Sequence, residues 1–104
     1  MNKIKLANIK ELINKEHIIK KVLGKTYLIE ERNNQYIVYE YMCRHQGADL
    51  SLGTLKNGVV TCPRHGWQYK RETGECIKGD GIPLKQCQSE VSEGYIFLII
   101  ELGN

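Results

Sequence analysis

Two stretches decide how this chain is read: Cys43-Arg44-His45-Gln46-Gly47-Ala48-Asp49-Leu50-Ser51 and Cys62-Pro63-Arg64-His65-Gly66-Trp67-Gln68-Tyr69. Each sets one thiol and one imidazole within a few residues, and each carries a glycine close behind, Gly47 and Gly66. Sixteen residues, Gln46 to Thr61, lie between His45 and Cys62. Ligands so close together on a glycine-bearing loop reach one metal centre with little loop-closure entropy. Cys43, His45, Cys62 and His65 are therefore the candidate metal-ligating residues. Zinc fingers usually pair Cys with Cys and His with His, whereas each loop here supplies one of each. That distribution suits a two-iron cluster, with both thiolates on one iron and both imidazoles on the other. Zinc held by the same four side chains is the rival.

The sequence around these loops is punctuated like a β protein. Gly24, Asn33-Asn34, Gly53, Asn57-Gly58, Gly74, Gly79-Asp80-Gly81 and Ser92-Glu93-Gly94 recur between short β-branched or aromatic runs. Lys25 to Glu31 and Gln35 to Tyr41 flank Arg32-Asn33-Asn34, where asparagine tolerates the positive φ of a tight hairpin. Further strands are expected at Ile4–Leu6, Ile18–Leu23, Val59–Thr61, Trp67–Tyr69, Leu84–Val91 and Tyr95–Leu102. One short helix is expected over Ile9–Ile13, with Asn8 as its cap and apolar residues at i, i+3 and i+4.

At 104 residues the chain has room for one domain with one modest core. Its longest apolar run, Tyr95 to Ile100, is far short of the roughly 20 residues of a membrane helix. The charged opening MNKIKLANIKELINKEH lacks the apolar stretch of a signal peptide. A reducing cytoplasm is the expected location, where cysteines more often bind metal or react than form disulfides. The net charge of +3 is unevenly spread: +3 over residues 1–42, +4 over 43–71 and −4 over 72–104. The basic middle is small and lacks interleaved aromatic platforms, so nucleic acid is not an expected partner. His17 reads as a surface residue, and Cys76 and Cys87 read as buried thiols on strands. Trp67 and the tyrosines Tyr27, Tyr36, Tyr39 and Tyr41 read as packing residues.

The two loops resemble those of Rieske-type ferredoxins, whose signature is C-x-H followed by C-x-x-H at this interval. The resemblance extends to Thr73-Gly74-Glu75, to Gly81-Ile82-Pro83-Leu84-Lys85, and to the closing strand, turn and strand around Glu93-Gly94. It implies an all-β, antiparallel β-sandwich over residues 1–104, with a small cluster-binding subdomain inserted at about 42–82. Carried over by position, Cys43 and Cys62 bind the buried iron of a [2Fe–2S] cluster. His45 and His65 bind the outer iron through Nδ1, with their exposed edges as the electron port. Two thiolates and two neutral imidazoles leave the oxidised site neutral, so it accepts an electron more readily than an all-cysteine site, in a range of about −150 to +300 mV. High-potential members carry an extra cysteine in each loop and a serine two residues after the last histidine. Ala48, Arg64 and Trp67 occupy those positions here, so the expected potential is in the lower part of the range. Tyr69 matches the tyrosine that donates to a cysteine sulfur.

The function this implies is a soluble one-electron carrier that takes electrons from a flavin-dependent reductase and passes them to a terminal oxygenase or similar oxidoreductase. No catalytic site of its own is expected. The chain shows neither an open two-histidine, one-carboxylate iron site nor a nucleotide-binding glycine fingerprint. The alternatives are a small Rieske-type subunit of a larger oxidoreductase, such as nitrite reductase, and a zinc-binding module. Soluble ferredoxins of this family tend to be acidic, so Arg44 and Arg64, between the ligands of their loops, are a departure that bears on the partner.

Overall fold

The structure, a computed structural model, describes residues 2–44 and 47–100. Its strands in chain order are β1 (Asn2–Asn8), β2 (His17–Val22), β3 (Lys25–Arg32), β4 (Gln35–Glu40), β5 (Thr54–Lys56), β6 (Val59–Thr61), β7 (Gln68–Lys70), β8 (Cys76–Lys78), β9 (Gln86–Cys87), β10 (Ser89–Ser92) and β11 (Tyr95–Ile100). Every described pairing is antiparallel. The sheets run β1-β11-β10, β2-β3-β4-β9 and β5-β6-β7-β8. Two-residue turns set the registers: Leu23-Gly24, Asn33-Asn34, Asn57-Gly58 and Glu93-Gly94 all have φ between +52° and +82°. That is the backbone a tight hairpin needs to match the twist of its strands.

The middle sheet is buried on both faces. Along β3, Tyr27 and Ile29 turn one way, to a core with Val38, Leu6, Ile96 and Leu98. Leu28 turns the other way with Tyr39, to a second core containing Tyr41, Cys43, Leu50, Val60, Cys62, Tyr69 and Leu84. Successive side chains of a strand point to opposite faces. The near-continuous burial of β3 therefore marks it as the layer between the sandwich and the small sheet β5–β8. The second core contains both motif cysteines, so the candidate centre is an extension of the hydrophobic core.

Several expectations are corrected in detail. The run Leu84–Val91 is two strands in different sheets, β9 beside β4 and β10 beside β11. β5 was not anticipated, and β8 only through Cys76. All three residues of β5 are exposed and two of the three in β8 are, so no apolar alternation announces them. The helix is a 3-10 turn over Ile9–Leu12. Asn8 caps it, and Glu11 returns a bond to the Asn8 N–H at 2.8 Å, completing a capping box. His17 is half-buried with its Nδ1 enclosed and unpartnered, because β2 lays it opposite Glu30. Cys76 and Cys87 are on strands as expected, but half-buried. No helix among the described residues is long and apolar enough to cross a membrane.

Candidate functional site

The two motif loops are built on one backbone plan. In the first, the Cys43 N–H donates to the Ala48 carbonyl (2.8 Å), and the Gly47 N–H donates to the Cys43 carbonyl (2.9 Å). In the second, the Cys62 N–H donates to the Trp67 carbonyl (2.7 Å), and the Gly66 N–H donates to the Cys62 carbonyl (3.2 Å). Each cysteine thus opens and closes a tight loop through its own peptide groups. The reversal needs a positive φ at the fourth residue after the cysteine: Gly47 has φ +67° and Gly66 +73°. Around Gly66 there is open space, so backbone conformation alone selects glycine there.

Cys43 and Cys62 are both buried and not joined by a disulfide, and their sulfurs lie within hydrogen-bond reach of each other. Burial pushes the Cys62 thiol up. The N–H groups of Arg64 and His65, the Cys43 side chain and the Arg64 guanidinium outweigh burial and bring it below its ordinary value. Donors collected around a sulfur favour the thiolate, the form that binds metal. Tyr69 is fully buried beneath them, its hydroxyl 3.8 Å from Cys43 Sγ. Burial, with the Cys43 sulfur beside it, pushes that phenol far above its ordinary range, so it keeps its proton at any working pH. The Arg44 N–H donates to the phenol oxygen at 3.2 Å. The phenol's own proton is then free to point at a Cys43 thiolate.

His65 is exposed, as an outer-iron ligand should be, while His45 lies outside the described residues. Among the described residues no three His, Cys, Asp or Glu side chains converge on one metal position. A two-iron cluster asks for two protein ligands on each iron, so the buried thiol pair and the exposed imidazole fit that group without such convergence.

Three supports of the loops were not legible as such. Asp49 ends the first loop: its carboxylate accepts from the Ser51 N–H (2.9 Å) and Ser51 Oγ (2.6 Å) and meets Lys21 Nζ at 3.2 Å. Burial works against that charge, but the Ser51, Thr26 and Lys21 contacts outweigh it and hold the carboxyl below its usual range. Gly53 presses on the second loop so closely that a Cβ there would overlap the Thr61 carbonyl oxygen. Gly79 lies under the Trp67 ring, where a Cβ would come within 2.8 Å of ring carbons. The glycines were visible as punctuation, but contacts across 8 and 12 residues were not.

Several known proteins are similar to this chain. Methylxanthine N1-demethylase NdmA of Pseudomonas putida is 37% identical over 49 residues, 47% of this chain and 14% of that relative's length. The ferredoxin of carbazole 1,9a-dioxygenase from Nocardioides aromaticivorans IC177 superposes with a TM-score of 0.65 over 97% of this chain and 100% of its own, at 16% identity. A structure of the complex of reduced oxygenase and oxidised ferredoxin in carbazole 1,9a-dioxygenase gives a TM-score of 0.62 over 92% of this chain and 91% of that one, at 26% identity. The family model for the Rieske [2Fe–2S] domain matches residues 2–89, most of the chain and both cysteine loops, so the chain belongs to the Rieske [2Fe–2S] domain family.

Proposed function

We propose that this chain is a one-electron carrier whose [2Fe–2S] cluster is held by Cys43, His45, Cys62 and His65, within a cluster-binding subdomain of about residues 42–82. The observation that carries this reading is the pair of matched loops, which bring two unlinked cysteines together in the core beside Tyr69 and leave His65 at the surface. A [2Fe–2S] group, when bound, takes up and gives back one electron. The chain's own residues do the rest. Cys43 and Cys62 keep the thiolate side away from water, and Tyr69 holds a proton toward the Cys43 sulfur. The exposed imidazole edge of His65 is the path out. Family membership supports the cluster, and the ferredoxin caught with its oxygenase supports an oxygenase as acceptor. A flavin-dependent reductase as donor and the cytoplasm as location complete the reading.

The test is anaerobic reconstitution with iron and sulfide. A red-brown protein is expected that bleaches reversibly with dithionite and, when reduced, gives an EPR signal with average g well below 2. A colourless protein that retains zinc would replace this reading with a structural metal module.

A further inference from the structure

Unpaired cations gather at one end of the small sheet. Among the described residues, eight basic side chains have a carboxylate partner, nearly all of them on the sandwich or at its junction with the small sheet. Arg71, which the sequence counts toward the basic middle, is buried against Glu30 and adds nothing to the surface. Seven basic side chains carry no ion pair among the described residues; Lys5, Lys10, Lys15 and Lys56 are spread elsewhere, and Arg44, Arg64 and Lys78 are exposed.

These last three sit at one end. Arg44 and Arg64 lie between the cysteine and histidine of their loops. Lys78 pairs with Gln68, next to Trp67, at the same end of the small sheet. Asp80, in the segment after Lys78, accepts from the Ile82 N–H at 2.9 Å and keeps its negative charge, so with it the three cations still leave this end net positive. Large apolar side chains stand in the same rim. Leu52 is 72% exposed, next to the Gly53 that packs on Pro63, and Ile82 is 47% exposed, in the segment that follows Gly79 under Trp67. Uncompensated cations around bare apolar groups make a surface that recognises carboxylates and gains from excluding water.

We propose that the end of the small sheet carrying Arg44, Arg64 and Lys78 docks a protein partner whose electron entry site is ringed by carboxylates, with Leu52 and Ile82 making the dry contact. This rests on the carrier reading above, and it adds the partner's surface chemistry. The rim's positive charge exceeds the single negative charge that a reduced two-Cys, two-His cluster adds, so the attraction persists in the electron-loaded state.

The experiment uses the loaded, oxidised protein, labelled with nitrogen-15 and titrated at low salt with an acidic b-type cytochrome. Cytochrome c, which is basic, serves as the opposite probe. Amide shifts for the acidic cytochrome are expected near residues 44, 52, 64 and 78–82, with a Kd that weakens as salt rises. R44Q/R64Q/K78Q should weaken that Kd about ten-fold or more. K10Q/K15Q/K56Q removes the same net charge from unpaired lysines away from this end and should leave it within about two-fold. Three results would overturn the proposal: equal loss in both triple variants, shifts mapping to the sandwich, or tighter binding of cytochrome c. Rim-dependent binding of a random-sequence DNA duplex, without binding of the acidic cytochrome, would also overturn it by moving the surface to nucleic acid. Reversible bleaching by dithionite in the same samples reports on the carrier reading separately.

Discussion

Replacing Arg71 by methionine should destabilise the protein in a manner that depends on pH. The Arg71 guanidinium meets Glu30 at 3.1 Å, with side-chain exposures of 8% and 5%. A second contact, to Glu16 at 3.4 Å, reaches a carboxylate that is 85% exposed and contributes little. Burial pushes the Glu30 carboxyl above its ordinary value despite the pull of Arg71 and Arg32. The folded chain therefore holds that proton to higher pH than the unfolded chain does. The cost of ionising Glu30 is absent below the unfolded value of 4.5, appears as pH rises past it, and is complete above the folded value. Without Arg71 the carboxyl moves further up and the cost grows. Removing one partner of a buried pair costs about 3–5 kcal/mol, so R71M should lose about that much at pH 7. At pH 4.5, where the carboxyl can keep its proton, the loss should shrink to about 1–2 kcal/mol, the value of the missing hydrogen bonds. His17 faces the same pair and is held below its ordinary value by burial and Arg71, so both chains should carry H17Q. Urea unfolding of the loaded protein, followed by Trp67 fluorescence, is the assay. The double change E30Q/R71M should recover most of the loss. A loss under about 1 kcal/mol at pH 7, or one equal at both pH values, would refute the reasoning.

Tyr69→Phe removes the hydroxyl 3.8 Å from Cys43 Sγ, the donor a Cys43 thiolate would accept from. It should lower the midpoint potential by about 40 mV, the equivalent of about 1 kcal/mol for one electron, in a direct redox titration. The wild-type potential itself should fall in the lower part of the Rieske range. Gly53→Ala sets a Cβ against the Thr61 backbone, which cannot rotate away; about 3 kcal/mol of stability should be lost in urea unfolding, with weaker retention of iron. Burial raises the Cys87 thiol to about 11, so at pH 7.5 iodoacetamide should label it far more slowly than a free cysteine, while C87S leaves the visible spectrum unchanged.

The cysteine loops were legible in the sequence because residue type, spacing and turn backbone are fixed together in adjacent positions. Cys43 and Cys62 are buried side by side, His65 is exposed, and Gly47 and Gly66 take the positive φ of their turns. The hairpin at Asn33-Asn34 and the turn at Asn57-Gly58 were legible for a similar reason, since few residues tolerate their φ. Their chemistry is local, and a local rule leaves its mark in adjacent letters. What tertiary structure alone decided depends on partners far apart in the chain. Arg71 is a buried strut because Glu30 waits 41 residues away. β8 exists because β7 offers it an edge, although its own residues show little apolar pattern. Leu84–Val91 divides between two sheets because β4 and β11 each pair with part of it. The basic segment became an oriented rim only once folding had buried Arg71 and paired Lys70 with Glu75, leaving Arg44, Arg64 and Lys78 exposed at one end. Charge is counted along a sequence, but whether water, a carboxylate or a partner meets it is settled by the fold.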